Sequence, residues 1–320
     1  MTGAGAALVT GAQGFVGSWL AERLLEEGSR VVVPRRDAPS DSRFRTDGLE
    51  ERCEIVHADL TSLDALLRVL AEHEVTRVFH LAAQTIVGTA DRAPLATFDA
   101  NVRGTWTLLE ACRIGGGVEA VVVASSDKAY GSHDKLPYRE DTPLQPVWPY
   151  DVSKAAADMI ARSYAATYEL PVAVTRLANV YGPGDLNWSR VVPDTCRALA
   201  RGERPVVRSD GTPERDYLYV DDAVDAYLAV AASLPEHRGR AWNAGNDAPL
   251  PVIEVVLRLI AASGRSVEPD IRGSGTPQGE IDRQFLDSSA IRDELGWEPK
   301  VELDDGLRRT WDWYAARLSA

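Results

Sequence analysis

Residues 9–20 read VTGAQGFVGSWL. Gly11, Gly14 and Gly17 stand between an apolar run, AALVT, and an amphipathic stretch, SWLAERLLEEG. Glycines at these spacings let the backbone turn tightly after a strand, approach a pyrophosphate closely and pack a helix on the strand. The helix that follows, with Phe15 and Val16 in its first turn, would face the phosphates with free N–H groups. A bare three-glycine pattern is weak. Here a strand precedes it, a helix follows, and the β-branched run RVVVP comes next, which is the context a dinucleotide-binding turn requires.

Outward from this turn, short β-branched runs alternate with helical patterns: CEIVHADL, LDALLRVLAEH, RVFHLAA, AVVVASS and VAVTRLANV. Such alternation specifies an α/β fold with a parallel sheet covered on both faces. Apolar spacing of 3.6 residues predicts helices near 97–113 and 150–169. After YGPGDLNW the rhythm breaks, with Pro or Gly at 183, 184, 193, 202, 205, 211 and 213. The expected organisation is a cofactor domain over 1–180, to whose sheet 241–247 returns, and a discontinuous lobe over 181–240 and 248–320.

The 320-residue chain carries a formal charge of −13 without a Lys/Arg-rich run, which argues against a nucleic-acid or anionic-membrane surface. Cys53, Cys112 and Cys196 lie far apart, so neither a disulfide framework nor a zinc site is expected, and a reducing cytoplasm fits. Five scattered histidines give metal catalysis no support. The opening MTGAGAALVTGAQGF lacks a basic segment and its apolar run is one strand long, so neither a signal peptide nor a membrane anchor is expected.

At the end of the second strand the sequence is PRRDAPS. Arg35 and Arg36 could clamp a 2′-phosphate, which favours NADP; the alternative is that Asp37 serves the ribose of NAD. Asp59 and Leu60 end the next strand as candidate adenine neighbours, and HLAAQ sets Ala82, Ala83 and Gln84 beside the dinucleotide. PYDVSK places Tyr150 and Lys154 four residues apart on one helical face. A phenol near pKa 10 becomes a useful base only if neighbouring positive charge stabilises the phenolate.

With TGAQGFVG, HLAAQ, NVRGT, SSDKAYG, YDVSK, RLANVYGPG and ERDYLYVDD in order, the chain resembles the extended short-chain dehydrogenase/reductase family, in its nucleotide-sugar branch, from about residue 5 to 315. The resemblance implies a Rossmann domain, a small C-terminal substrate domain, a bound nicotinamide cofactor that is recycled, and a nucleotide-diphosphate sugar as substrate. It implies that Ser126 orients the sugar 4-hydroxyl, Tyr150 takes its proton, and Lys154 holds the nicotinamide ribose and lowers the phenol pKa. Asn101 matches a site that supports the lysine. Asn179, Arg190 and Arg215 fall where the family contacts substrate phosphates and nucleotide, with Gln84 near the sugar. It also implies a homodimer through helices near 97–113 and 150–169.

ASSDKAYG, residues 124–131, bears on the reaction. Oxidation at C4 makes the C5 hydrogen acidic, so a base at C5 and an acid at the C6 hydroxyl can eliminate water. An Asp-Lys pair after the triad serine resembles CDP-glucose 4,6-dehydratases, which implies that Asp127 protonates the leaving hydroxyl and Lys128 removes the C5 proton. PRRD resembles GDP-mannose 4,6-dehydratases. A 4,6-dehydratase is therefore the expected activity, with a 4-epimerase as the alternative. An Asp127–Lys128 ion pair would defeat both roles.

Overall fold

The apolar runs of the N-terminal half form one parallel seven-stranded sheet in the computed structural model, which describes residues 5–35, 41–276 and 280–318. Its strands are β1 (Ala6–Thr10), β2 (Val31–Arg35), β3 (Glu54–His57), β4 (Val75–His80), β5 (Ala120–Ala124), β6 (Val172–Leu177) and β7 (Ala241–Ala244). Their order is β7-β6-β5-β4-β1-β2-β3. The chain turns back between β1 and β4, which makes the crevice at their carboxyl ends the place where such a sheet receives a ligand.

Strand periodicity decides which residues face which helices. On β1, Leu8 points to the face covered by α2 (Leu63–Glu72), α3 (Gly104–Gly115) and α4 (Pro149–Tyr168), where it shares a core with Leu66, Leu108 and Ala161. Ala7 and Val9 point to the other face and pack with Leu20 and Leu24 of α1 (Phe15–Glu26). All of these side chains are fully buried. At roughly 1.5–3 kcal/mol for each large apolar side chain, this two-sided burial dominates the stability of the sheet.

Three details differ from the pattern in the sequence. VAVTRLANV is two strands: the chain leaves the sheet after Leu177, and Asn179–Tyr181 pairs in parallel with Tyr217–Tyr219. The helix expected from 97 begins at Pro94–Phe98 and passes through a π-helical turn, Asp99–Arg103, before α3. Helix Val220–Ala232, in the span given to the lobe, instead covers the main sheet beside α1, because Val224, Ala226 and Val230 join the core of that face. Strand β7 pairs in parallel with β6, Ala241 opposite Val174. The lobe is built from α5 (Val191–Ala200), helices Val252–Ala262 and Leu303–Leu318, and two-residue strands such as Glu214–Arg215 and Arg283–Gln284.

Candidate active site

The carboxyl ends of β1, β4 and β5 bring the predicted cofactor residues and the polar triplet together. At the first turn Gly11 has φ +76°, and the Gly14 N–H donates to its carbonyl at 2.9 Å. A Cβ on Gly17 would lie 2.2 Å from the Gly11 carbonyl oxygen, so helix and turn touch there through backbone alone. Gly14 begins α1 without a side-chain cap. Phe15 and Val16 follow in the first turn, whose N–H groups are thus free for an anion. This cradle fits the pyrophosphate of a dinucleotide.

A buried histidine ties the ends of β1 and β4. The Thr105 hydroxyl donates to the Asn101 carbonyl at 2.6 Å, so His80 Nε2 carries the ring proton and gives it to Thr105 at 2.9 Å. Nδ1 then accepts from Thr10 Oγ1 at 2.8 Å, and Thr10 accepts from the Ala82 N–H at 3.1 Å. Burial and the Lys154 charge hold His80 neutral, its pKa pushed down to about 3. Ala82 and Ala83 pass beside the turn half-buried, which lets backbone approach closely. Asn101 accepts from the Gln84 N–H at 2.6 Å and donates to the Gln84 carbonyl at 3.1 Å and Ser153 Oγ at 2.9 Å. Its amide thus fixes the loop after β4 to α4. The Gln84 side-chain oxygen is taken by the Ile86 N–H.

Arg35 is held by the Glu50 carboxylate rather than left free as a clamp, and Arg36 and Asp37 lie outside the described residues. Asp59 accepts from the N–H and hydroxyl of Thr61, both at 2.8 Å, and Leu60 packs into the core under α2 and α3.

Past β5, Ser126 caps a single helical turn, Asp127–Tyr130. Its hydroxyl accepts from the Lys128 N–H at 3.2 Å and donates to Asp127 Oδ1 at 3.0 Å. The turn is bolted to the sheet from below. Arg176 and Asp158, both fully buried, pair through two bonds of 2.8 and 3.0 Å. Arg176 also donates to the Tyr130 hydroxyl at 2.8 Å, which donates to Asn243 at 2.7 Å. Breaking a buried pair of this kind costs about 3–5 kcal/mol.

Asp127 is 3% exposed and its Oδ2 has no hydrogen-bond partner. Burial pushes its pKa up, against the pull of Lys128 and Arg215. Lys128 Nζ pairs with Glu280 at 3.4 Å, not with Asp127. Glu280 also meets Arg215 at 3.3 Å, so one carboxylate bridges two cations of the site. Tyr150 and Lys154 stand in the first turns of α4. Burial raises the Tyr150 phenol to about 12, and Arg190 is the positive charge that opposes this. Lys154 Nζ donates to the Ala124 carbonyl at 2.8 Å, and burial lowers it to about 8. Arg190 is a cation that favours the phenolate.

The lobe closes the site. Arg190 donates to Asp185 at 3.0 Å and to the Val180 carbonyl at 3.2 Å. Arg215 is held by the carbonyls of Glu214 and Asp282. Asn179 Nδ2 and the Tyr217 hydroxyl, on paired strands, are buried without partners. Gln284, opposite Arg215, brings a buried amide beside Asp127 with neither end in a well-formed hydrogen bond. Orphaned polar groups around one cleft are those a polar ligand would satisfy. Asp151, 2% exposed, faces Lys128, Asp127, Glu280 and Asp91; burial raises it to about 6. Its role, like those of His80, Glu280 and Gln284, was not legible in the sequence. Among the described residues no group of three His, Cys, Asp or Glu side chains is placed to hold a metal, and no helix is long and apolar enough to cross a membrane.

A Rossmann-like sheet carrying a Ser-Tyr-Lys set at its carboxyl edge, capped by a C-terminal lobe, defines a dehydrogenase/reductase-type enzyme. The chain belongs to the NAD dependent epimerase/dehydratase family, whose profile matches residues 7–245. It is similar to a UDP-glucose 4-epimerase of Mycolicibacterium smegmatis, 34% identical over 96% of this chain and 97% of that one. It is equally similar to a dTDP-glucose 4,6-dehydratase of Streptomyces griseus, 36% identical over 96% and 93%. A CDP-glucose 4,6-dehydratase of Salmonella typhimurium is 31% identical over 96% and 90%. Among solved structures, UDP-glucose 4-epimerase of Thermotoga maritima with UDP-glucose superposes with a TM-score of 0.90 at 30% identity, over 98% and 99% of the two chains. A dTDP-glucose 4,6-dehydratase of Streptomyces venezuelae with NAD bound gives 0.86 at 31%, over 97% and 96%.

Proposed function

We propose that the protein is a nucleotide-sugar 4,6-dehydratase that converts an NDP-hexose to the NDP-4-keto-6-deoxyhexose. The observation that carries this reading is Asp127: a buried carboxyl with a raised pKa and an unpaired oxygen, next to a lysine that is not its ion-pair partner. An epimerase needs no such acid.

A nicotinamide dinucleotide whose pyrophosphate rests in the Gly11–Gly17 cradle would supply uptake of hydride from C4 and its return at C6. NAD is the cofactor inferred, since Glu50 occupies Arg35, the described half of the pair that favoured NADP. Ser126 orients the 4-hydroxyl and Tyr150 accepts its proton. Arg190 already opposes the burial that raises the phenol to about 12, and the positive charge of an oxidised cofactor would lower it further towards use. Lys128 removes the proton from C5, now acidic beside the ketone, once it is released from Glu280. Asp127 gives its proton to the C6 hydroxyl, which leaves as water, and Lys128 returns a proton to C5 when hydride reaches C6. Asn179, Arg190 and Arg215 hold the diphosphate, for which Glu280 must yield. Exposed Leu95, Trp106 and Met159, around α3 and α4, support a homodimer through these helices.

One observation favours the 4-epimerase reading: Lys128 is paired with Glu280, and a lysine held in an ion pair binds but abstracts nothing. Mass spectrometry of products from CDP-, GDP-, UDP- and dTDP-hexoses separates the two. The dehydratase releases a product one water lighter; a product of unchanged mass from every sugar would reject it.

A further inference from the structure

An arginine-lined cavity of about 300 Å³ lies in the lobe, in a chain whose net charge is −13. Arg197, Arg201, Arg204, Arg208 and Arg272 line it, with Asp194 and Glu203. The segments forming it are those that carry the proposed diphosphate ligands. Arg190 immediately precedes α5, and Arg197 lies seven residues along the helix, roughly 10 Å away at 1.5 Å per residue. Arg208 lies seven residues before Arg215. Resting on the nucleotide-sugar reading above, the next group outward from the diphosphate is the nucleoside.

Most of the guanidinium groups are pre-positioned. Asp194 holds Arg197 at 2.5 Å and Arg208 at 3.1 Å, and Asp270 holds Arg272 at 2.7 Å. Arg204 donates to the carbonyls of Glu268 and Pro269, and Arg197 stacks on Trp188. Each guanidinium has five N–H donors, so these contacts leave many unspent. Arg201 and Glu203, both exposed, have no ion-pair partner among the described residues. The lining thus offers an excess of forked donors and one unpaired carboxylate. Its apolar members are only Ala198 and Val206.

We propose that this cavity receives the base of the nucleotide sugar and selects a base with an acceptor edge and an exocyclic amino group, guanine or cytosine, over uracil and thymine. Guanine presents O6 and N7 to a guanidinium, and its N1–H and amino group to a carboxylate. Cytosine presents O2 and N3 to the guanidinium and its amino group to the carboxylate. Uracil and thymine flank their single N–H with carbonyls, which Glu203 would repel, and the thymine methyl finds little apolar wall. Adenine lacks the paired acceptors.

Calorimetric binding of GDP, CDP, UDP and dTDP to the full-length protein tests this. GDP or CDP is expected to bind at least about tenfold tighter than UDP and dTDP, one bidentate contact's worth of discrimination. The comparison of GDP with CDP distinguishes the two sources. Glu203→Ala, a change at an exposed side chain, should weaken only the preferred nucleotide and bring the ratio within about threefold. Equal or tighter binding of UDP or dTDP to the unaltered protein would overturn the proposal, as would a Glu203→Ala variant that keeps its ratios. Failure of all four to bind would instead strike the nucleotide-sugar reading itself. Base-selective binding without turnover would leave this inference standing and remove the dehydratase.

Discussion

Asp127→Asn separates the two halves of the proposed elimination. Asparagine keeps the volume and can still accept from Ser126 Oγ, but has no proton to give to a leaving hydroxyl. General acids of this kind contribute about 10²–10⁴-fold, some 3–5.5 kcal/mol of barrier. Water loss should slow by that factor. C4 oxidation should persist, seen as transient absorbance of the reduced nicotinamide, and so should exchange of the C5 hydrogen with deuterated solvent, because Lys128 is untouched. Stability gives a second, independent readout. Burial holds the Asp127 pKa above its unfolded value of about 3.9, so ionisation opposes folding as pH rises past that value. The variant should therefore be at least as stable as the parent at pH 8 in urea titration, with no advantage at pH 3. Water loss within about threefold of the parent rate would refute the acid role, set against the expected factor. A clear loss of stability at pH 8 would show that the carboxylate is structural.

Asp151→Asn should also stabilise the fold: a carboxyl raised from about 3.9 to about 6 withholds up to roughly 3 kcal/mol at pH 7 and nothing at pH 3, so a variant less stable at pH 7 would contradict the assigned environment. His80, pushed down to about 3, should remain neutral to pH 5 in an NMR titration; protonation is excluded from the fold, so stability falls as pH drops below about 6.5. An ordinary imidazole midpoint would show that the ring is not sealed between Thr10 and Thr105. Gly17→Ala puts a methyl 2.2 Å from the Gly11 carbonyl oxygen, which should cost about 1–3 kcal/mol and weaken NAD binding at least tenfold in fluorescence titration. Unchanged binding would mean that the turn gives way freely.

The sheet was readable because its strands are local runs with turn residues between them, and the glycine turn because its chemistry is compressed into seven residues, Gly11 to Gly17. The Ser126, Tyr150 and Lys154 set was readable through motifs in order along the chain. Glu280 and Gln284 were not, since they reach Lys128 and Asp127 only when Arg283–Gln284 pairs with Glu214–Arg215, strands of two residues that leave no periodic trace. His80 looked like one of five scattered histidines because Thr10 and Thr105 are brought to it by tertiary packing. Arg35 lies at the end of β2 as the pattern places it, but the fold-back of Glu50, fifteen residues on, to its guanidinium leaves no trace in the sequence. Helix Val220–Ala232 fell within the span given to the lobe because the irregular Pro and Gly rhythm after 181 carries no signal of which layer a later helix joins; only its packing puts it on the main sheet.

In the proposed reaction Asp127 protonates the departing C6 hydroxyl, and a crystal structure of the protein with cofactor and an unreactive NDP-hexose analogue would show whether it is placed to do so. The expected result places the C6 oxygen about 2.6–3.2 Å from Asp127 Oδ2, with Lys128 freed from Glu280 and turned to C5. A sugar seated with C6 facing away from Asp127, and Lys128 still paired to Glu280, would contradict it.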